Sequence, residues 1–317
     1  MRGEPLDSNL RIGLVGYGEV GKILTRALRE RGIGWVGAWD VLLRDSSHGA
    51  AMKARAGDDG VEACASLAAL LERADIVISA VTAANALDVA REAARSIRPG
   101  TFFLDLNSAS PTTKTSASKL VDAAGAHYVE AGVMTPVPPY GIRAPMLLGG
   151  NRAGALAEKL RPLGFDMTVV AERIGIASAI KLCRSVFIKG LEAVIVESYT
   201  LARRHGVERH LLASLTETFP EIDWEKQGSY LFGRVAKHGK RRAGEMREAA
   251  NTVREAGFEP WMSAASAQTQ DWGAALSRSG RFRDLAAEPD WRDYADKIIA
   301  ALENPETAAR NRTGRRS

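Results

Sequence analysis

The chain has 317 residues, which is long enough for two domains because single hydrophobic cores stop growing near roughly 250–300 residues. Hydrophobic residues make up 45% of it and charged residues 26%, and these values exclude a disordered or fibrous protein for the chain as a whole. The formal net charge is +5, but part of the excess stands in a final run that has no apolar periodicity and contains Arg310, Arg312, Arg315 and Arg316. We therefore expect a solvated tail and no nucleic-acid partner.

The cysteines and the start of the chain indicate a cellular compartment. Cys64 and Cys183 are the only cysteines and stand far apart, which favours reduced thiols and a reducing environment. Residues 1–9 have no apolar run typical of a signal peptide, and no segment approaches the roughly 20 apolar residues of a membrane span. None of the five histidines has a second ligand at metal spacing. We expect a soluble, cytoplasmic protein with no membrane partner and no catalytic metal.

Short apolar runs alternate with helical patterns in the first half of the chain, and this alternation predicts a parallel sheet with crossover helices. The predicted strands are Leu10–Val15, Trp35–Trp39, Asp75–Val81, Thr101–Leu106, His127–Val133, Met146–Leu148 and Phe165–Val170. Helices are predicted at Val20–Arg31 and Pro111–Ala124, with a weaker strand and helix between Val61 and Glu72. Asn151 has the chemistry of a helix N-cap.

From about Arg173 the strand patterns stop, and helical periodicity continues to Leu302. The segment Ile176–His205 contains no proline and only one glycine, so it predicts a single long helix that ends at His205-Gly206. We therefore place the domain boundary at the start of this helix, with one domain at residues 1–172 and the other at residues 173–317.

A glycine-rich hexad follows the first predicted strand and opens the first predicted helix: Gly16, Tyr17, Gly18, Glu19, Val20 and Gly21. Its three glycines are suited to a tight turn, to close approach of the backbone to a pyrophosphate, and to packing of the helix on the strand. The helix N-terminus then offers amide groups and a positive dipole to the phosphates. In this context the hexad predicts a dinucleotide-binding Rossmann domain. The fold class is therefore α/β, with an N-terminal doubly wound sheet, a long interdomain helix and an all-α domain.

The choice between NAD and NADP depends on the end of the second strand. Asp40 stands about twenty residues beyond the hexad, where an acidic side chain accepts hydrogen bonds from ribose hydroxyls and repels a 2′-phosphate. This slightly favours NAD. Arg44 is either a partner for the NADP phosphate or a solvated loop cation. Val81 and Thr82 end the fourth strand at the ligand-binding edge, and we expect them to line the cofactor.

The chain resembles the β-hydroxyacid dehydrogenase family, which includes 3-hydroxyisobutyrate and 6-phosphogluconate dehydrogenases. The glycine hexad, the run Asp105–Pro111, the run Glu130–Gly150 and the run Gly175–Gly190 carry the resemblance in the family's order. It implies NAD(P)-linked oxidation of a hydroxy acid and a helical domain that often mediates dimerisation. It also implies that Lys181, on the interdomain helix, exchanges the proton of the substrate hydroxyl. A base within hydrogen-bond reach of that hydroxyl is what the chemistry requires.

The substrate motifs of the family are altered in this chain. Where family members usually have an asparagine three residues after the lysine, this chain has Arg184, followed by Ser185. Where they have a serine in the loop after the fifth strand, it has Asn107, followed by Ser108. The carboxylate-binding Ser-Gly-Gly corresponds to Met134-Thr135-Pro136, and proline has no backbone donor. The resemblance therefore points to a divergent and poorly characterised branch, with Asn107, Ser108, Arg184 and Ser185 as candidate substrate-binding residues.

Polar residues recur on one side of the long predicted helix: Lys181, Ser185, Lys189 and Glu192. Such a stripe suits an anionic polyhydroxy or keto acid, and Arg184 beside it either binds a carboxylate or forms an interdomain salt bridge. The basic cluster His238–Arg242 is predicted at the start of a helix that runs to Ala256. This cluster is either a solvated helix end or a contact to the substrate anion.

These residues together predict an NAD(P)-dependent dehydrogenase that acts on the CH–OH group of a small anionic hydroxy acid or sugar acid, with Lys181 as general acid and base. An imine or keto-acid reductase and a non-catalytic dinucleotide-binding sensor are the alternatives. The resemblance further predicts a homodimer through the helical domain.

Overall fold

The structure, a computed structural model, describes residues 9–303, with side chains described as far as residue 301. The predicted solvated tail therefore lies outside the described residues. The chain divides into two compact units between Cys183 and Arg184, which is within helix α8 (Ile176–His205). The sequence places the boundary after residue 172 instead, so the start of α8 belongs to the N-terminal unit.

The N-terminal unit contains one sheet of eight strands, in the order β3-β2-β1-β4-β5-β6-β7-β8. The strands are β1 Arg11–Val15, β2 Trp35–Trp39, β3 Glu62–Ala63, β4 Ile76–Ser79, β5 Phe102–Asp105, β6 His127–Val133, β7 Met146–Gly149 and β8 Met167–Ala171. All neighbouring strands are parallel except β6 and β7, which are antiparallel. The predicted doubly wound α/β sheet is confirmed.

Seven helices accompany this sheet: α1 Glu19–Glu30, α2 Gly49–Asp58, α3 Leu67–Leu71, α4 Ala86–Ala93, α5 Pro111–Ala123, α6 Val137–Tyr140 and α7 Ala153–Leu160. Buried apolar residues form two clusters, and β1 contributes Ile12 and Leu14 to one and Val15 to the other. Alternate residues of a strand point to opposite faces, so both faces of the sheet are covered. Prediction of Asn151 as a helix N-cap was wrong, because α7 begins after Arg152 and has no side-chain cap.

The second unit is helical. It consists of the rest of α8 with α9 Glu208–Thr218, α10 Trp224–Glu255, α11 Trp261–Arg278 and α12 Trp291–Glu303. The predicted bounds of α8 are confirmed, and Gly206 ends the helix with φ +68°. No helix in residues 9–303 is both long and apolar enough to cross a membrane.

Helix α10 begins at Trp224, not near His238 as predicted, so the basic cluster lies in the middle of the helix. The Asp223 side chain caps it by accepting from the Lys226 amide. Glycine lowers helix propensity, but tertiary packing overrides this at Gly228. A Cβ atom there would lie 2.6 Å from the Tyr199 ring and 3.1 Å from Trp291, whose side chain is fully buried. Close packing of helix and aromatic rings therefore requires a glycine at 228.

Two glycines of α10 give a matched test of this packing. We expect Gly228→Ala to lower the free energy of unfolding by about 1–3 kcal/mol, because the methyl group would overlap the Tyr199 ring. At Gly244 a Cβ atom meets nothing within 4 Å, so Gly244→Ala should raise stability by roughly 0.5–1 kcal/mol. Urea unfolding followed by circular dichroism measures both. Equal effects of the two substitutions would contradict the packing argument.

Candidate active site

The glycine hexad forms the turn between β1 and α1. Gly16 has φ +95°, and a Cβ atom there would lie 2.4 Å from the Ala80 carbonyl oxygen. At Gly21 a Cβ atom would lie 2.2 Å from the Gly16 oxygen, whereas at Gly18 it would meet nothing within 4 Å. The fold therefore requires glycine at 16 and 21. Gly18 leaves open the space that a dinucleotide pyrophosphate needs, so the loop fits a bound dinucleotide.

The N-terminus of α1 is suited to phosphate. Gly18 is the N-cap residue, and no side chain caps the first turn. The first amides of a helix lack intrahelical acceptors, so the backbone of Glu19 and Val20 can donate to an anion. Tyr17 is fully buried, its side chain lies in the core, and its backbone amide donates to the Asp40 carboxylate. Of the predicted cofactor residues, Tyr17 thus supports the loop from within.

Asp40 links the end of β2 to the glycine loop. One carboxylate oxygen accepts from the Tyr17 amide at 2.8 Å, and the other accepts from the Leu42 amide at 2.9 Å. Arg44 is exposed, with its guanidinium carbon 6.0 Å from the centre of the Trp39 ring. Asp45 follows it, and hydrogen bonds from the Ser47 hydroxyl and from His48 hold the pKa of this carboxyl well below its usual range. In the sequence, Arg44 therefore stands between two carboxylates, those of Asp40 and Asp45.

Asn107 joins the ends of β4 and β5. Its side-chain oxygen accepts from the Val81 amide at 2.7 Å, and its nitrogen donates to the Ser79 hydroxyl at 3.0 Å. Asn107 is only 4% exposed, so both of its amide atoms are used within the protein. The Val81 side chain lies beside the Gly16 turn, and Thr82 is exposed. This places the predicted residues 81, 82 and 107 at one edge of the sheet, with Asn107 beneath the surface.

Lys181 and Ser108 are brought together. The Lys181 amine donates a hydrogen bond to the Ser108 hydroxyl, although the two residues are 73 positions apart in the chain. Ser108 follows β5, and Lys181 lies near the start of α8. Both side chains are partly buried. An amine and a hydroxyl thus meet at the carboxyl edge of the sheet, where open α/β folds bind their ligands.

A buried polar network supports the loop that carries Ser108. The Asp105 carboxylate accepts from the Lys114 amine at 2.9 Å, from the Asn107 amide at 2.8 Å and from the Tyr128 hydroxyl at 2.6 Å. Burial, followed by the Asp105 charge, raises the pKa of Tyr128 well above its usual value, so this hydroxyl remains a donor. Sequence reasoning missed this network. The signal was the aspartate that ends the apolar strand β5.

Glu130 is a second residue that sequence reasoning missed. It lies in β6, is fully buried, and contacts the first turn of α8 through Gly175, Ala177 and Ser178. A charged residue inside an otherwise apolar strand was the signal that could have identified it.

In the helical unit, the residues of the predicted polar stripe of α8 that follow Arg184 are buried. Ser185 and Lys189 are buried, and the Lys189 amine donates to the Ser185 hydroxyl at 3.0 Å and pairs with Glu245 at 2.9 Å. Burial lowers the pKa of Lys189, while the Glu245 charge opposes that shift. Arg184 is exposed and forms no hydrogen bond or ion pair with any residue from 9 to 303 for which side chains are described. Of these residues, only Arg184 presents its polar group to solvent.

The basic cluster at 238–242 is divided. Arg242 is buried and donates from Nε to the Glu192 carboxylate at 2.8 Å, and Gln270 donates to the same carboxylate at 2.8 Å. Arg241 pairs with Glu245, and His238 and Lys240 are exposed. Arg242 is therefore paired within the helical unit and is not open to a substrate anion. On the exposed side of α8, Phe187, Val194 and Leu201 recur every seven residues. The homodimer stays a prediction.

The geometry defines a dinucleotide-binding α/β protein with a lysine and a serine hydroxyl at the ligand-binding edge of the sheet. Residues 11–139 match the NAD binding domain of 6-phosphogluconate dehydrogenase, and residues 202–273 match DUF1932, a domain of unknown function. A conserved hypothetical protein from Sinorhizobium meliloti 1021 is 35% identical over 92% of this chain and 96% of its own, with a TM-score of 0.74.

Two further solved structures are similar to the chain. The conserved protein MTH1747, of unknown function and described as structurally similar to 3-hydroxyacid dehydrogenases, is 31% identical over 86% of this chain and 99% of its own, with a TM-score of 0.66. The 3-hydroxyisobutyrate dehydrogenase from Mycobacterium tuberculosis, solved with L-serine, is 17% identical over 92% and 99%, with a TM-score of 0.70, and shares the fold. The chain belongs to the β-hydroxyacid dehydrogenase family, in the branch that carries DUF1932.

Substitution of Gly18 tests the dinucleotide site. We expect Gly18→Val to leave the protein folded, because the added side chain meets no protein atom near its Cβ, and to weaken NADH binding at least tenfold by filling the pyrophosphate space. Fluorescence titration with NADH measures the dissociation constant. Gly154→Val is the matched control, since its Cβ also meets nothing within 4 Å. Unchanged NADH affinity in Gly18→Val would remove the dinucleotide assignment for this loop.

Proposed function

We propose that the protein is an NAD(P)-dependent dehydrogenase that acts on the CH–OH group of a small anionic hydroxy acid or sugar acid. The hydrogen bond between the Lys181 amine and the Ser108 hydroxyl carries this proposal. It stands at the same edge of the sheet as the glycine loop and the end of β4. Membership of the family and the fit of the loop to a dinucleotide support it.

The chain's own residues supply the proton chemistry. A nicotinamide cofactor, when bound at the glycine loop, would supply the hydride-acceptor chemistry. The Lys181 amine takes the proton of the substrate hydroxyl as hydride leaves the carbinol carbon, and it returns the proton in the reverse direction. The Ser108 hydroxyl, which the amine already contacts, orients the amine and can hydrogen-bond the substrate oxygen. The hydrogen bonds to Asp105 fix the loop that carries Ser108. This favours a constant geometry between the Lys181 amine and the substrate hydroxyl.

The anionic character of the substrate is supported by Arg184. This residue follows Lys181 by three positions on α8, and its guanidinium has no ion-pair partner among the described side chains. A guanidinium binds a carboxylate through two parallel hydrogen bonds. The altered Met134-Thr135-Pro136 segment has no backbone amide at Pro136 with which to bind a substrate carboxylate. We propose that Arg184 binds this carboxylate instead.

We propose NAD as the preferred cofactor. Asp40 is at the end of β2 next to the glycine loop, where its charge opposes a 2′-phosphate. Asp45 adds a second carboxylate, and hydrogen bonds from Ser47 and His48 lower its pKa further below neutrality. Arg44 lies between them in the chain, so the segment from Asp40 to Asp45 carries more negative than positive charge.

Asp40→Asn tests the cofactor preference. Asparagine keeps one oxygen to accept from a backbone amide, so the loop tie to Tyr17 or Leu42 survives while the charge is lost. We expect the ratio of NADPH to NADH affinity to rise about tenfold, the factor that corresponds to about 1.4 kcal/mol. Parallel fluorescence titrations with the two reduced cofactors measure it. A wild-type protein that already prefers NADPH strongly would show that Arg44 dominates.

Lys181→Met tests the mechanism. Methionine keeps much of the stem and the helix propensity but removes the amine, so folding and NADH affinity should change little. Loss of general acid–base catalysis typically costs about 10²–10⁴ in rate, and we expect turnover to fall by that factor. The assay is reduced-nicotinamide absorbance with a panel that contains 3-hydroxyisobutyrate, L-serine and 6-phosphogluconate.

Lys119→Met is the control for this experiment, because Lys119 is exposed on α5. Near wild-type turnover in Lys181→Met would mean that another group moves the proton. A wild-type protein that binds NADH but turns over no member of a broad hydroxy-acid and imine panel would favour the dinucleotide sensor.

A further inference from the structure

Glu130 is a fully buried carboxylate in the strand β6, and it contacts the first turn of α8. One oxygen accepts from the Gly175 amide at 2.7 Å and from the Ala177 amide at 3.0 Å. The other accepts from the Ser178 hydroxyl at 2.8 Å. These donors are 45 to 48 positions from Glu130 in the sequence, so only the fold brings them to the carboxylate.

The N-terminus of α8 is a favourable place for this charge. Burying a carboxylate is strongly unfavourable unless it is hydrogen-bonded and its charge is compensated. The first turn of a helix has amides without intrahelical acceptors and the positive end of the dipole, and Glu130 meets both. Because Oε1 receives two amides and Oε2 a hydroxyl, the carboxylate holds the first turn of α8 at three points.

The strand β6 lets α8 approach it closely at this point. A Cβ atom at Gly132, two residues further along β6, would lie 2.8 Å from the Ala177 oxygen and 3.3 Å from Lys181 Cβ. On the neighbouring strand β7, Gly149 pairs with Glu130, and a Cβ atom there would lie 2.5 Å from the Glu130 carboxylate. Glycines on both sides therefore let the helix backbone and the carboxylate approach closely.

Lys181 depends on the same turn. It follows Ser178 by three residues and Ala177 by four, so it lies one helical turn beyond the atoms that Glu130 holds. Its Cβ is beside Gly132, and its amine reaches Ser108, which follows β5. Asp105 in β5 pairs with Glu130 in β6. The position of the Lys181 amine is set from β6 and that of the Ser108 hydroxyl from β5, so both depend on this pair of strands.

We propose that Glu130 is a positioning residue for Lys181: by holding the first turn of α8 against β6, it sets where the lysine amine stands relative to the Ser108 hydroxyl. This proposal rests on the proposed dehydrogenase function, in which that amine moves the substrate proton. Glu130 does not touch the reacting atoms and acts through the helix.

Glu130→Gln tests the proposal with the least change of shape. The amide oxygen can still accept from Gly175 and Ala177, and the NH₂ group can donate to the Ser178 hydroxyl. Hydrogen bonds to a neutral acceptor are roughly half as strong as those to a charged one, so the first turn is held less firmly. We expect kcat to fall about tenfold while the NADH dissociation constant stays within about twofold.

A second measurement does not depend on turnover. Trace acetylation with acetic anhydride, followed by peptide mass spectrometry, reports the reactivity of the Lys181 amine relative to exposed Lys159. We expect this relative rate to rise at least threefold in Glu130→Gln, because the amine is released from Ser108. Ser66→Ala is the control, since it removes the side-chain cap of α3 in the same unit and should leave both kcat and Lys181 acetylation unchanged.

Ser178→Ala is the second variant if Glu130→Gln does not fold, because it removes one of the three contacts and leaves the carboxylate its two amides. We expect the same direction with a smaller size. A folded Glu130→Gln with wild-type kcat and wild-type Lys181 acetylation would overturn the proposal. Near wild-type turnover in Lys181→Met would overturn the proposed mechanism instead, and the acetylation rate would still decide whether Glu130 places the amine.

Discussion

The first turn of α8 is tied to the sheet by the buried Glu130 carboxylate, and the candidate active site depends on that tie. Glu130 accepts from two amides and one hydroxyl of this turn, and the glycines at 132 and 149 let the groups approach. Burial of this charge without partners would be unfavourable, so the carboxylate requires its three hydrogen-bond donors. The consequence is that a helix carrying Lys181 begins at a fixed place against β6, one strand away from the loop that carries Ser108.

The neighbouring strand ends are held by a second set of buried polar groups. Asp105 organises Lys114, Tyr128 and the Asn107 amide, and Asn107 in turn bridges Ser79 and Val81. A fully satisfied network of this kind rigidifies the backbone around it, whereas a partly satisfied one destabilises it. Open parallel sheets place their ligands at this edge, so the polar groups concentrate where loop geometry matters for function. Buried polar groups thus hold the carboxyl ends of β4, β5 and β6 in place.

The sequence was sufficient for the elements with strong periodicity and clear ends. The bounds of β2 and α8 agree with the prediction, because a short apolar run between Gly34 and Asp40 and a proline-free helix ending in glycine leave little ambiguity. Helices α2 and α4 were not predicted, since their alanine-rich segments have weak signals. The meeting of Lys181 with Ser108 could be anticipated from the family resemblance. The partners of Glu130 and the pairing of Asp105 with Tyr128 could not, because residues 23 to 48 positions apart are paired by the fold rather than by spacing.

Helical spacing also could not tell which residues of α8 face the interior. It grouped Ser185, Lys189 and Glu192 with Lys181, but in the helical unit these three side chains are buried against α10 and α11 residues or one another. Glu192 receives Arg242 and Gln270, and a bidentate pair of this kind fixes the rotation and register of a helix more than it adds stability. The polar stripe of α8 is thus used for positioning within the helical unit, and the groups left for substrate are those near the start of the helix.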